Sequence, residues 1–275
     1  MPVATSPQTS KVRLLDAFPE MAEHLDADQE RLARRYLVTT LWELPPGQWR
    51  PRRDIQREPG HIGLLVLDGL LTRDVVLEEA LATELVGRGD LLRPADQDGQ
   101  DAPVPFDVAW HVLKPARIAV LDRQLAAMVG RWPEALEPLF RGAVRRAQTL
   151  AVVLAVSHLR RVDARLLVIL WYLADRWGKV RPDGVNVPLE LTHQTLGRLV
   201  GAQRPSVTTA LKQLADERKV TRAENGTWLL HGEPPDTLER LRGQTAGRDG
   251  DQRDGDGASP PQPPVSSNSS PSSSG

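Results

Sequence analysis

Arg204, Ser206, Thr208, Thr209 and Lys212 fall on one side of a helical stretch whose other side carries Val207, Ala210, Leu211 and Leu214. Guanidinium, ammonium and hydroxyl groups gathered on one helical face make a surface of hydrogen-bond donors. Such a surface suits phosphate oxygens and the base edges of duplex nucleic acid. A guanidinium fork at Arg204 matches guanine O6 and N7, a contact worth roughly 1–3 kcal/mol of base discrimination. The plainer alternative for Arg204 is a bond to phosphate or to a nearby acid. Gln203 precedes this helix, Thr192 and His193 open the one before it, and Arg222 follows in the next extended segment. All are candidate contacts to duplex DNA.

Other chemistries find little support. The chain has no cysteine, which removes thiol switches, iron–sulfur clusters and cysteine-type zinc sites. The six histidines (His24, His61, His111, His158, His193, His231) are scattered without metal-ligand spacing. Asp96, Asp98 and Asp101 lack the closing glutamate of a calcium loop. Glu78 and Glu79 are adjacent and read as opposite faces of a strand, which does not suit an acid–base pair. No phosphate-cradling glycine loop or nucleophile elbow occurs. We expect no enzyme, no cofactor and no metal.

The elements that position the donor face are legible. Thr192 caps a short helix that buries Leu196, Leu199 and Val200, and Gly201-Ala202 supplies a tight turn into a second helix over 204–216. Pro205 suits its first turn. KVTR, the turn Glu224-Asn225-Gly226 and TWLL then form a small hairpin in the place of a wing. Six Lys/Arg stand against four Asp/Glu between Pro188 and His231. Upstream, Asp163 is the expected cap of the helix DARLLVILWYLADRWG, which Gly178 closes. Residues 162–232 thus read as a winged helix-turn-helix domain.

Residues 133–161 read as one long helix. Leu136, Phe140, Ala143, Ala147, Leu150 and Leu154 repeat with a period of 3.5 residues. The seam fits either a dimer-forming coiled coil or a helix lying on its own domain, and its length favours the dimer. Residues 12–132 read as many short strands in an antiparallel β-roll, with Asp68-Gly69 as a two-residue hairpin. Residues 1–11 and 245–275 have little to bury and are expected to be disordered. The net charge of −1 excludes nothing, since an acidic domain can offset a basic face. No apolar run approaches a membrane span and the first residues lack a secretion signal, so a cytoplasmic protein is expected.

The order of β-roll, long helix and winged helix-turn-helix is similar to the Crp/Fnr family of catabolite activator and fumarate–nitrate regulators. The carrying residues are LTHQTLGRLVGAQRPSVTTALKQLADERKV, with LLVLDGLLTR and ELVGRGDLL in the roll. The resemblance implies an α+β fold and a homodimer joined through the long helix. It also implies binding to two-fold symmetric DNA sites about one turn apart, with RNA polymerase as a candidate partner and an effector at the roll. Where that family often places arginine, glutamate and a second arginine on the recognition helix, this chain keeps Arg204 but has Pro205 and Thr209. The familiar base sequence is therefore not expected. The cyclic-nucleotide turn is degenerate: Gly87 to Pro94 read GRGDLLRP, Arg93 comes too early, and Asp96, Asp98 and Asp101 would repel a phosphate. A cyclic nucleotide is not expected, and the effector is unassigned. The alternative function is a ligand-sensing module whose winged domain binds a protein.

Overall fold

The computed structural model describes residues 8–51, 59–94 and 103–235. Asp96, Asp98 and Asp101 lie outside them, as do residues 1–7 and the 245–275 segment.

The fold opens with strand β1 (Gln8–Arg13), so residues 8–11 are ordered contrary to expectation. Their backbone pairs antiparallel with β2 (Val38–Leu44), from Gln8 opposite Glu43 to Arg13 opposite Val38. The backbone ladder outweighs the polar composition of this stretch. Helices α1 (Leu14–Ala17) and α2 (Ala27–Tyr36) follow. Asp26 caps α2 by accepting from the Asp28 and Gln29 amides, while Gln29 accepts in return from the Asp26 amide. This reciprocal box satisfies donors that a helix start leaves open.

Strands β3 (Gly47–Trp49), β4 (Gly63–Leu77), β5 (Ala80–Gly87), β6 (Leu91–Leu92) and β7 (Asp107–Leu121) complete a seven-stranded sheet. Its main path runs β1-β2-β7-β4-β5, with β3 beside β7 and β6 beside β4. Successive residues of β4 face different cores. Leu65 and Leu67 join Leu14, Phe18, Leu37 and Trp132 beneath the helices, whereas Leu64 and Val66 join Trp42, Ile118 and Val120 on the other side. A strand covered on both faces reads as a continuous apolar run.

Asp68-Gly69 is not a hairpin. β4 runs straight through it, and the register against β7 slips between Val66 and Leu71, opposite Pro115. Pro115 cannot donate to the ladder, and the bulge absorbs that break. Gly69 has φ +99°, and a Cβ there would fall 2.5 Å from the Pro115 carbonyl oxygen. The actual β4–β5 hairpin turns at Glu78-Glu79, where Glu78 has φ 54°. Replacing Gly69 with alanine is expected to cost about 1–3 kcal/mol of stability through strain at positive φ. Urea unfolding measures this, and an unchanged midpoint would refute the packing described.

Helix α3 (Arg123–Val129), capped by Asp122 onto the Leu125 amide, and a 3-10 turn at Pro133–Leu136 lead into α4 (Glu137–Ser157). Leu139, Gly142 and Val156 bury one face of α4. Gly142 rests on the roll, since a Cβ there would fall 2.5 Å from the Gly89 carbonyl oxygen. The opposite face is open, with Phe140 66% and Leu154 63% exposed, Val144 and Leu150 also uncovered, and Ala143 and Ala147 between them. Of the expected seam, only Leu136 departs: it lies in the 3-10 turn and packs, half-buried, against the roll core.

Helix α5 (Val162–Trp177) starts one residue before the expected cap. Arg161 is the cap position, and Asp163 lies in the first turn paired with Arg161 at 2.7 Å. Gly178 ends the helix as expected. Then come β8 (Lys179–Arg181), β9 (Gly184–Val187), α6 (His193–Val200), α7 (Arg204–Asp216), β10 (Val220–Arg222) and β11 (Trp228–Leu230). The wing is part of a four-stranded sheet ordered β10-β11-β9-β8, two strands more than the sequence pattern suggests.

Candidate nucleic-acid interface

The two short helices fold by local rules. Thr192 caps α6 by accepting from the Thr195 amide at 3.0 Å. Gly201 ends it in the left-handed conformation, φ 63°. The Ala202 amide donates back to the Gly197 carbonyl at 2.8 Å. Gly197, which sequence reasoning passed over, allows this approach: a Cβ there would fall 2.5 Å from the Ala202 carbonyl oxygen. Its signal was a glycine inside an otherwise apolar helix face. Arg165 of α5 holds the turn from behind, donating to the carbonyls of Val200 and Gly201 at 3.2 Å each.

Val207, Ala210, Leu211 and Leu214 face inward from α7, as expected. Gln203, Arg204, Ser206, Thr208, Thr209 and Lys212 are all exposed among the described residues. Neither Arg204 nor Lys212 makes an ion pair among the described residues. The hydroxyls divide by role. Thr208 Oγ1 donates to the Arg204 carbonyl at 3.0 Å and Thr209 Oγ1 to the Pro205 carbonyl at 3.2 Å, so their protons are committed within the helix. Ser206, exposed on the first turn, is the better hydroxyl donor to an outside ligand. Thr192 is occupied as a cap.

The wing closes the same surface. Arg222 lies over the Trp228 ring, 5.5 Å from its centroid, and the His193 ring stands 6.2 Å from that indole. Burial, then Arg222 and Arg204, hold the His193 imidazole below its usual range. His193, Arg204 and Arg222 thus come together from three elements that are separate in the sequence.

Two buried carboxylates tie this domain to the roll. Asp74 of β4 accepts from Thr83 Oγ1 at 2.6 Å and from Arg198 of α6 at 3.0 Å. Asp90 accepts from the Gly87 amide and from Arg176 of α5, both at 2.8 Å, and the same guanidinium nitrogen reaches the Arg88 carbonyl. Lys114 of β7 adds a bond to the Pro188 carbonyl at 2.9 Å. A cavity of about 300 Å³ lies at this junction, lined by Asp74, Thr83 and His111 of the roll with Thr195 and Arg198 of α6. Arg88-Gly89-Asp90 is a turn, as expected. Glu23, His24 and Glu137 bring ligand-type atoms within 4.8 Å of one another. Arg141 already donates to both glutamates, so a guanidinium occupies that position.

The uncovered helix, its turn and its wing define a winged helix-turn-helix protein built on a β-roll. Residues 164–233 match the Crp-like helix-turn-helix domain. The chain is 29% identical over 89 residues to a global nitrogen regulator of Synechococcus elongatus. It is 30% identical over 136 residues to a CRP-like cAMP-activated global transcriptional regulator of Mycobacterium tuberculosis. These matches cover 32% and 47% of this chain and 40% and 61% of the relatives, so the chain spans about half the length of the curated relatives it matches. The fold is that of a CooA mutant from Carboxydothermus hydrogenoformans, with TM-score 0.58 and 14% identity over 86% of this chain and 98% of that one. It is also that of a CRP-family transcriptional regulator from Thermus thermophilus, with TM-score 0.51 and 21% identity over 73% and 96%. The sequence likeness is thus to the Crp-like helix-turn-helix domain over residues 164–233, and the solved structures share the fold. Among the described residues no helix is long and apolar enough to cross a membrane.

Proposed function

We propose that this chain is a sequence-specific DNA-binding transcription regulator acting as a homodimer on two-fold symmetric sites. The observation that carries the reading is the uncovered face of α7, where Arg204 and Lys212 stand without ion-pair partners on a helix sized for the major groove. The open stripe of α4 supports the dimer: Phe140, Val144, Leu150 and Leu154 are apolar and exposed, and the alanines between them let a second backbone come close. A second copy docked there would present two recognition helices to one duplex. Its partners are double-stranded DNA, another copy of itself and, at a promoter, RNA polymerase. Its compartment is the cytoplasm.

Control by an effector at the roll is part of this proposal. An occupant of the junction cavity would touch β-strands and α6 together, so its binding would depend on how the two domains meet. We do not propose a cyclic nucleotide at the Gly87–Asp90 turn, because Gly142 packs onto Gly89 and Arg176 takes Asp90.

A gel shift with the gene's own upstream DNA against random duplex tests the reading, and equal affinity for both would refute it. Arg204→Ala is expected to lower affinity for the selected site about 5- to 150-fold and to relax preference at one base position. Lys212→Ala is expected to weaken all sequences alike and to reduce the salt slope by about one. Equal, sequence-independent loss from both would overturn the division of roles.

A further inference from the structure

Thr208 has one hydroxyl proton, and it goes to the Arg204 carbonyl at 3.0 Å. His193 Nδ1 lies 3.0 Å from the same hydroxyl oxygen. That contact needs a proton of its own, so Nδ1 carries the hydrogen and donates to Thr208. A neutral imidazole has only one N–H, which leaves Nε2 as a bare lone pair. Nε2 has no protein partner among the described residues and is not closed off from water. The ring is packed between the start of α6, the recognition helix α7 and the wing. The charged groups acting on it are Arg204 from α7 and Arg222 from β10, both cationic.

We propose, on the DNA-binding reading above, that His193 is a proton-linked DNA contact whose Nε2 takes up one proton on binding and donates to a backbone phosphate oxygen. Phosphate oxygens only accept, so a bare lone pair turned toward them is repulsive, whereas an imidazolium N–H forms a charge-assisted bond. The arriving phosphate also offsets the Arg204 and Arg222 charges that disfavour imidazolium in the free protein. The ring's fixed bond to Thr208 aims this donor, so the contact is positioned by the recognition helix itself. The competing DNA chemistry is a base amino group donating to the neutral ring, and it carries the opposite pH sign.

The imidazole binds its proton more tightly in the complex than in the free chain. Affinity is therefore fully gained below the free-state pKa, and lost as pH rises through the bound-state pKa. The test is fluorescence anisotropy of the full chain with a selected duplex, at fixed ionic strength, from about pH 8.5 to about pH 6. Wild type is expected to tighten on acidification by about 3- to 10-fold, at most tenfold per unit for one proton. His193→Gln is expected to lose the excess slope, so that its difference from wild type grows as the pH falls. Side-chain nitrogen NMR of the free protein is expected to find His193 protonated at Nδ1. A slope unchanged by His193→Gln, a ring protonated at Nε2, or affinity that falls on acidification in wild type alone would each overturn this inference while leaving the regulator reading standing. Absence of sequence-specific binding at every pH would instead overturn both.

Discussion

Replacing Glu84 with alanine is expected to destabilise the fold by about 3–5 kcal/mol, a loss on the order of 10 °C in melting temperature. Glu84 lies on β5 with its side chain 5% exposed, and it accepts a two-pronged bond from Arg146 of α4, itself 11% exposed. Arg73 of β4 stands 3.7 Å away, where burial works against its charge and Glu84 supports it. One carboxylate therefore serves two buried guanidiniums, and removing it takes the two-pronged partner from Arg146 beside the positive charge of Arg73. The pair joins the roll to the long helix, so the loss should appear first as looser attachment of α4. Thermal and urea unfolding of Glu84→Ala, beside Glu84→Ala combined with Arg146→Met, measure the effect. The double variant is expected to recover part of the loss, because it removes the stranded charge as well. A cost below about 1 kcal/mol for the single change would mean that the buried pair does not exist as described.

The second large effect is on assembly. Phe140→Asp with Leu154→Asp is expected to leave the fold intact and produce a monomer, because both side chains are largely exposed within one chain. Ultracentrifugation reads the mass. Binding to a two-fold symmetric site is expected to weaken by about 100- to 10,000-fold, since the second recognition helix no longer arrives at high effective concentration. A variant that remains dimeric, or a wild type that is monomeric at micromolar concentration, would refute the interface.

The interface helices could be read from the sequence because everything that shapes them is local. The Thr192 cap, the left-handed Gly201, Pro205 in the first turn and the spacing of Val207, Ala210, Leu211 and Leu214 all lie within one short stretch. The roll depended on distant partners. Asp68-Gly69 has every local mark of a hairpin, and only Pro115 on the neighbouring strand makes it a bulge. The long helix was ambiguous for another reason: it is apolar on two faces, and the pattern alone does not say that Leu139 and Val156 are buried while Phe140 and Leu154 stay open. β8 and β9 are short, and Lys179-Val180-Arg181 carries no buried alternation to mark a strand. Glu84, Asp74 and Asp90 were the least legible. Each interrupts an apolar segment, which signals burial with a partner, but their arginines come from helices far along the chain.

Arg176 grips the Gly87–Asp90 turn at two points with a single nitrogen, a carboxylate and a main-chain carbonyl. Both acceptors must lie where that one nitrogen reaches them together, so the pair of bonds ties the shape of the turn to the position of α5. Arg198 on Asp74 and Lys114 on the Pro188 carbonyl hold the same junction at two further points. By reciprocity, whatever shifts α5 is felt at the turn, and whatever reshapes the turn is felt at α5.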